Sequence, residues 1–335
     1  MKRLLTLVLA LAMVLSLAAC GSKKPVQLTA DGGAVVVLSA DANNAVTSLS
    51  VAFRKQLAAK LGGEVQLNYD NKLDEKASGT RVLIGQTSQA ASTALYTQLA
   101  QAGGSRFGLL AADGCLAVGG TNEYLTYEAL DYLLTTILGS GGLTLEDGYS
   151  YLSDELPGCP DVRKMLAAGR TPAFIAADIV CTVPKTDGYL GLNFVDPETL
   201  QLTGSAETAF RQSRVAYLPE SDGYVFGMEG KPTVTRTDAA FNPISTFETP
   251  LTDKISQGFF WDGRYIYDIR YYSGSASHRM VIDTPDGENV AIATLSGVDG
   301  EPENIFRAGD TFYLGCNRTS FVYSLVLAPD GWWQS

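Results

Sequence analysis

The chain contains one histidine, His278, and this limits the catalytic chemistry that the sequence can support. His278 follows a polar stretch, residues 273–277, that predicts a hairpin loop open to solvent. A Ser-His-Asp triad would have to recruit this histidine, and the sequence has no Gly-x-Ser-x-Gly segment. A single histidine with scattered cysteines also disfavours a zinc site. The sequence therefore predicts neither catalytic residues nor a cofactor.

Oxygen ligands are concentrated in one short segment, residues 283–289. Asp283, Asp286 and Asn289 could together bind Ca²⁺, which prefers carboxylate and amide oxygens. The spacing differs from that of an EF-hand and the closing glutamate is missing, so a plain β-turn is the favoured interpretation. Paired carboxylates for glycoside hydrolysis cannot be selected from 36 acidic residues by spacing alone.

Aromatic residues are abundant in the second half of the chain and could form stacking platforms for sugar rings. Alternation along strands would send most of these rings into a core. Trp261, Tyr271 and Tyr272 lie beside predicted turns and are the best candidates for exposed ligand-binding rings.

The first twenty residues have the organisation of an export signal. Lys2 and Arg3 precede an apolar run of about 14 residues, which is too short to cross a hydrocarbon layer of roughly 30 Å. Leu17-Ala18-Ala19-Cys20 resembles the lipobox of bacterial lipoproteins. This resemblance implies cleavage after residue 19, acylation of Cys20 with palmitate-type chains, and attachment to a membrane outside the cytoplasm, with residues 20–30 as a tether.

The mature chain is acidic. Loss of Lys2 and Arg3 with the signal peptide changes the formal charge from −11 to −13, and the sequence pI is about 4.6. Nucleic acid is therefore excluded as an expected partner, and neutral or cationic ligands are favoured. Four further cysteines, Cys115, Cys159, Cys181 and Cys316, allow three complete disulfide pairings, of which Cys159 with Cys181 would clip the segment between domains. Unpaired buried thiols are the alternative.

Residues 31–154 alternate between strand and helix periodicity and predict a small α/β domain. The predicted strands are 34–38 and 81–84, with a hairpin of 107–111 and 115–118 around Asp113-Gly114. The predicted helices are 45–61, about 88–102 and about 122–138. Gly119-Gly120 before the last helix could hold an anion on backbone amides, but a tight turn is the favoured interpretation.

The order of these elements, with Val82-Leu83-Ile84-Gly85 and Leu116-Ala117-Val118-Gly119-Gly120 each before a helix, resembles the accessory N-terminal α/β domain of glycoside hydrolases of the α-glucuronidase and β-hexosaminidase type. The resemblance implies no active site, because that domain carries no catalytic residue. The remaining chain is too short for the catalytic barrel of about 250 residues.

After a predicted linker, residues 155–171, helical periodicity gives way to a repeat of about 44 residues. A turn segment with an aspartate marks each unit; these segments begin at residues 195, 237, 282 and 327, after intervals of about 42, 45 and 45 positions, and contain Asp196, Asp238, Asp283 and Asp330. Four units of this length resemble β-propeller blades and predict a β-propeller-like domain over residues 172–335. A closed ring, an open stack of sheets that pairs with another chain, and a β-sandwich remain alternatives.

The predicted fold class is therefore α+β and multi-domain, with a small α/β domain followed by an all-β, β-propeller-like domain. The predicted function is that of a lipid-anchored extracytoplasmic binding or scaffold protein that contacts a glycan or an envelope protein through the β domain. One alternative is a carbohydrate-active hydrolase with carboxylates on loops. Another is an assembly subunit that pairs through sheet edges.

Overall fold

The computed structural model describes residues 24–29, 31–73, 79–139, 142–180, 191–228, 230–252, 254–274, 277–317 and 321–328, with the backbone alone for residues 178–180. The predicted signal peptide, the lipid-attachment residue Cys20, and Cys181 all lie outside these ranges. Within them, no helix combines the length and the apolar character that crossing a bilayer requires.

The first region is an α/β domain, as predicted. Its strands are β1 (Val26–Leu28), β2 (Ala34–Leu38), β3 (Val65–Tyr69), β4 (Thr80–Ile84), β5 (Phe107–Ala112), β6 (Cys115–Gly120), β7 (Leu143–Leu145) and β8 (Ser150–Leu152); its helices are α1 (Asn44–Leu61), α2 (Ala90–Ala102) and α3 (Glu123–Tyr132), the last continued by a π-helical turn, Leu133–Ile137. Six strands form one sheet in the order β3-β2-β4-β6-β5-β8, and β1 pairs with β7. Strands β2, β3, β4 and β6 are parallel.

Helices cover both faces of this sheet, which explains why β2 is an uninterrupted apolar run with all five residues buried. Helices α1 and α3 pack on one face through Leu49, Phe53 and Leu130. Helix α2 packs on the other through Leu95 and Leu99. The predicted helical periodicity is confirmed, and Gly62 ends α1 in the left-handed conformation, with φ of 69°.

The second region is built almost entirely from strands. They are β9 (Ala173–Val180), β10 (Leu192–Val195), β11 (Leu202–Ala206), β12 (Arg214–Leu218), β13 (Gly223–Gly227), β14 (Thr233–Thr237), β15 (Pro243–Glu248), β16 (Ile255–Trp261), β17 (Ile266–Tyr271), β18 (Ser277–Asp283), β19 (Asn289–Ser296), β20 (Glu301–Ala308), β21 (Thr311–Asn317) and β22 (Phe321–Leu327). The all-β character of this region is confirmed.

Eight of these strands form a single, nearly closed, barrel-like sheet in the order β16-β17-β18-β19-β9-β22-β21-β20. Every neighbouring pair is antiparallel except β19 and β9. The two edge strands approach each other closely, because a Cβ atom on Gly258 of β16 would lie 2.7 Å from the Cα atom of Asn304 of β20. Gln257 also donates to Glu301 across this seam, at 2.9 Å. Apolar side chains such as Tyr267, Ile282 and Leu314 fill the interior.

A separate sheet of four strands, β12-β13-β14-β15, packs against the outside of the barrel-like sheet. Ala216, Leu218, Val225 and Val234 face inward and contact Phe259 and Ile266 there. Strands β10 and β11 form a two-stranded hairpin of their own.

The predicted propeller arrangement is only partly reflected in this architecture. Units two and three are antiparallel meanders of four strands, the arrangement of a propeller blade; Asp238 follows the third strand of unit two, and Asp283 is the last residue of the third strand of unit three. Separate blades are not seen in the described part of the chain, because β9 pairs with both β19 and β22 and joins units three and four into one sheet. Asp330 lies outside the described residues.

The segment predicted as a linker, residues 155–171, is packed against both regions. It contains a short helix, α4 (Val162–Ala167), and Cys159 and Val162 are buried in the interior cluster of the barrel-like sheet. Gly158 accepts a hydrogen bond from Asn122 of the α/β domain and donates one to Asp310, with distances of 2.9 and 3.2 Å. These contacts tie the two regions together at this point.

Candidate functional site

The outer surface of the four-stranded sheet carries a group of aromatic rings in mutual contact, of which Tyr217 and Phe194 are exposed and most of the others are half-buried. Side chains alternate across a strand, so Ala216 and Leu218 of β12 point toward the barrel while Val215 and Tyr217 point away from it. Tyr217 is 46% exposed and Val215 40% exposed. We name the six rings on this side the aromatic face: Phe194, Phe210, Tyr217, Tyr224, Phe226 and Phe241.

The rings of the aromatic face are mutually in contact. Tyr224 lies at the centre, with centroid distances of 5.1 Å to both Tyr217 and Phe241 and 5.9 Å to Phe226. Phe194 extends the group from the β10–β11 hairpin, 6.5 Å from Phe241. Phe226 is buried and supports the others, whereas Phe194 remains 37% exposed. Several rings thus form one continuous surface.

Phe241 is held in an unusual backbone conformation. Its φ is 63°, a left-handed value that bulky side chains rarely adopt. The turn is stabilised by Asp238, whose carboxylate accepts hydrogen bonds from the backbone amides of Ala240 and Asn242 and from the Asn242 side chain, each at 2.9 Å. The hydrogen bonds from Asn242 and Ala240 lower the pKa of Asp238. The protein therefore maintains a strained turn that presents an aromatic ring.

The β10–β11 hairpin, next to the rings, also contains a residue with a positive φ in a turn that an aspartate stabilises. Leu200 has φ of 57° and is 77% exposed. Asp196 stabilises the turn by accepting from the backbone amides of Glu198 and Thr199, at 2.9 and 2.7 Å. Two aspartate-supported turns thus place apolar side chains at the surface.

Acidic groups border the aromatic face. The Tyr217 hydroxyl donates to Asp222 at 2.9 Å, and this hydrogen bond raises the pKa of Tyr217. Glu220 is exposed nearby and accepts a hydrogen bond from Trp261, at 3.3 Å. Apolar ring faces beside carboxylates suit a sugar, which has an apolar C–H face and hydroxyl groups at its edge.

The three rings predicted from the sequence do not share this surface, nor do they form one of their own. Trp261 pairs with Ile266 at one end of the β16–β17 hairpin, and Tyr271 pairs with Ile255 at the other end. Six residues of strand separate the two ends, about 20 Å at the usual rise.

Tyr271 and Tyr272 have charged or polar neighbours instead of a common platform. Tyr272 lies between two cations, with Lys254 and Arg279 at 4.7 and 5.6 Å from its ring centroid. Tyr271 stacks on His278 at 5.5 Å.

The predicted exposure of His278 is wrong. His278 lies in β18 with no exposed surface, and its Nδ1 accepts a hydrogen bond from the backbone amide of Tyr272 at 3.2 Å. Burial lowers its pKa, so the ring is neutral at physiological pH. The polar residues before it suggested a longer loop than the turn that the strand pairing requires.

Asp283, Asp286 and Asn289 do not converge on a metal site in the structure. Asn289 donates to the buried carboxylate of Asp283 at 2.8 Å. Asp286 is exposed and pairs with Arg236 at 2.5 Å. No cluster of three or more histidine, cysteine or acidic side chains suited to a metal occurs within the described ranges.

Of the cysteines, Cys115, Cys159 and Cys316 have free thiols in the structure. Burial raises the pKa of both Cys159 and Cys316 to about 12, so these thiols are protonated and unreactive. The proposed pairing of Cys159 with Cys181 involves a residue outside the described ranges.

Comparison of the sequence with protein-family models and with curated proteins gives no match. The function must therefore be inferred from the geometry of the sites.

Proposed function

We propose that the protein is a lipid-anchored binding protein that acts outside the cytoplasm and uses the aromatic face to bind a glycan. The observation that carries the proposal is the contact between Tyr217, Tyr224 and Phe241 on an exposed sheet surface bordered by carboxylates. Rings supply flat apolar area at a low cost in conformational entropy, and carboxylates accept hydrogen bonds from sugar hydroxyls. The net negative charge favours a neutral or cationic glycan over an acidic one.

The anchor belongs to the same proposal. An acyl-modified Cys20 would hold the folded regions at a membrane surface, and more than one acyl chain is needed for stable attachment. The predicted tether 20–30 is too long, because Val26–Leu28 is the buried strand β1 of the α/β domain; a tether has to end before it. The proposal also includes a propeller-like relationship among the four repeats. The four-stranded meanders of units two and three, with turns at Asp238 and Asp283, support this relationship.

Binding by the aromatic face is tested with two substitutions in the full chain, purified in detergent and screened against an oligosaccharide array. We expect Tyr217→Ala and Phe241→Gly each to weaken binding of the best oligosaccharide by about tenfold, equivalent to roughly 1.4 kcal/mol. Glycine adopts a φ of 63° without strain, so relief of that strain offsets the lost ring contacts and the variant should fold normally.

Tyr69→Ala is the matched control, because Tyr69 is also an exposed tyrosine, 37% exposed, but lies in the α/β domain away from the aromatic face. It should leave binding unchanged. Retention of full affinity by both aromatic-face variants would contradict the proposal, as would an array on which the well-folded protein binds nothing. A protein captured in a pull-down that depends on Tyr217 would point instead to an envelope-protein partner.

Membrane attachment is tested by Cys20→Ala. Without the thiol there is no acyl chain, so the variant should move from the membrane fraction to the soluble fraction, because the apolar leader of about 14 residues is too short to span the bilayer. Fractionation followed by immunoblotting, with Cys115→Ala as the control, measures this. A Cys20→Ala variant that sediments with membranes as the wild type does would refute the anchor.

A further inference from the structure

A concave site lies in the α/β domain, at the carboxyl ends of the parallel strands β2, β4 and β6. It is a crevice of about 390 Å³. After β2 the chain crosses through α1 to β3 on one side, and after β4 it passes through α2 on the opposite face. This reversal is the topological switch point, the place where open α/β sheets bind small molecules.

The loops that border the crevice are fixed in position before any ligand arrives. Asp70 accepts from the backbone amide of Ala40 at 3.0 Å and from that of Ser88 at 2.8 Å, which ties the loops after β2 and β4 together. Asn43 donates to Glu123 at 2.8 Å and joins the first of these loops to the start of α3. Because these loops are already ordered, the protein loses little conformational entropy when a ligand binds in the crevice.

An anion is a poor match for this crevice, although two helices begin there. The Asn43 side chain already accepts a hydrogen bond from the backbone amide of Val46 at 3.0 Å, and the Asn122 side chain accepts one from the amide of Leu125 at 2.8 Å. The backbone amide of Gly120 donates to the Thr126 hydroxyl at 3.1 Å, and Gly119 and Gly120 are the last residues of β6, paired with Gly108 and Phe107. They therefore form neither an anion cradle nor the predicted tight turn.

The residues that line the crevice include Asp41 and Glu123 but no lysine or arginine. A negatively charged ligand would therefore meet two carboxylates without a compensating cation.

The polar lining fits a ligand that is rich in hydrogen-bond donors. Besides the two carboxylates, Ser39, Gln86 and Thr121 line the crevice, with Val46 and Ile84 as apolar wall. Burial raises the pKa of Tyr96 to about 12, so this side chain at the base is a neutral hydroxyl. Carboxylates favour a protonated amine, and hydroxyl and amide groups favour a polyol.

We infer that this crevice binds a small polyhydroxylated amine, the class to which amino sugars belong. Its volume lies at the lower end of the range for small-molecule sites. The site is on a different domain from the aromatic face and uses different chemistry, so it is independent of the proposed glycan surface.

Isothermal titration calorimetry of the full chain in detergent tests the inference, with glucosamine, glucose and glucose 6-phosphate as probes. Glucosamine should bind about tenfold more tightly than glucose, a difference of roughly 1.4 kcal/mol, and glucose 6-phosphate should not bind. Glu123→Gln keeps an oxygen that can accept from Asn43 but removes one of the two carboxylate charges, so it should reduce the preference for glucosamine. Ala42→Phe should fill the crevice and abolish binding of both glucosamine and glucose.

Glu64→Gln, a charge removal outside the crevice, should bind glucosamine as the wild type does, and Tyr217→Ala should do the same, which separates this site from the aromatic face. Thermal unfolding of each variant verifies that it is folded. Absence of glucosamine binding, unchanged binding in Ala42→Phe, or equal affinity for the three probes would each overturn the inference.

Discussion

Asp268→Asn is expected to lower the free energy of unfolding by about 3–5 kcal/mol, the range for removing one partner of a buried ion pair. Asp268 lies between two arginines: Oδ1 accepts a hydrogen bond from Arg214 at 3.2 Å, and Oδ2 forms an ion pair with Arg270 at 2.6 Å. All three side chains are at most 1% exposed. Without the carboxylate charge, two guanidinium groups would remain buried with their principal counter-ion lost.

Arg214, Asp268 and Arg270 form a buried ionic triad, and its position explains why the loss of unfolding free energy should be large. Asp268 and Arg270 lie on the outer side of β17, which faces the four-stranded sheet, and Arg214 lies on the inner side of β12. Ser256 donates to Asp268, Arg270 donates to Thr249, and the Arg214 guanidinium packs over the ring of Phe259 at 4.4 Å. The ion pairs therefore lie in the interface that joins the two sheets, where water cannot replace the lost partner.

Chemical denaturation at pH 7 measures the loss. Asp286→Asn is the matched control, because it removes an aspartate that pairs with Arg236 but has a side chain 82% exposed. Exposed pairs contribute about 0–1 kcal/mol, so this variant should resemble the wild type. If the two substitutions had equal effects, the buried triad would not stabilise the junction between the sheets.

The α/β domain could be predicted from the sequence because its signals are local. The apolar stripe of α1, its terminal Gly62, and the Asp113-Gly114 turn each depend on residues a few positions apart. Strand β3, Val65–Tyr69, was not predicted. Only Val65 in this strand is fully buried, so its residues lack the continuous apolar run that marks β2.

Assembly of the β region depends on contacts that periodicity does not encode. The repeat of about 44 residues predicts an all-β region, but nothing local in Ala173–Val180 indicates that β9 pairs with strands more than a hundred residues away, at Thr294 and beyond. Tertiary pairing of this kind decides between separate blades and one barrel-like sheet.

The candidate binding site was missed for a related reason. Tyr224 and Phe226 lie two positions apart on β13, but their partners Phe194 and Phe241 come from other turns of the chain. One local signal of the aromatic face is the segment Val215-Ala216-Tyr217 of β12. Val215 and Tyr217 point to the surface and the small Ala216 points inward. Trp261 and Tyr271 lie beside turns as predicted, but at opposite ends of one hairpin.

The second large effect concerns pH and Asp283, the residue first considered as a metal ligand. Asp283 is 2% exposed, Oδ1 accepts from Asn289 at 2.8 Å, and Oδ2 has no hydrogen-bond partner among the described residues. Burial, with a smaller contribution from the charge of Asp268, raises the pKa of Asp283 to about 6. The folded protein therefore binds this proton more tightly than the unfolded chain, whose aspartates titrate near 3.9.

Because the folded-state pKa is the higher one, the stabilisation is complete below about pH 4 and is lost as the pH rises through 6. A difference of about two pH units between the two states corresponds to roughly 3 kcal/mol. Asp283→Asn keeps the shape and removes the titration. It should match the wild type near pH 4 and exceed its unfolding free energy by about 1–3 kcal/mol at pH 8.

Urea denaturation of both proteins at intervals from pH 4 to pH 8 isolates this effect, because every other titrating group is common to the two chains and cancels in the difference. Asp286→Asn should show a difference from the wild type that does not change with pH, since its side chain is exposed. A difference for Asp283→Asn that stayed constant over the same range would mean that Asp283 is ionised in the folded protein. In that case Arg270 would have to act as its counter-ion as well as that of Asp268.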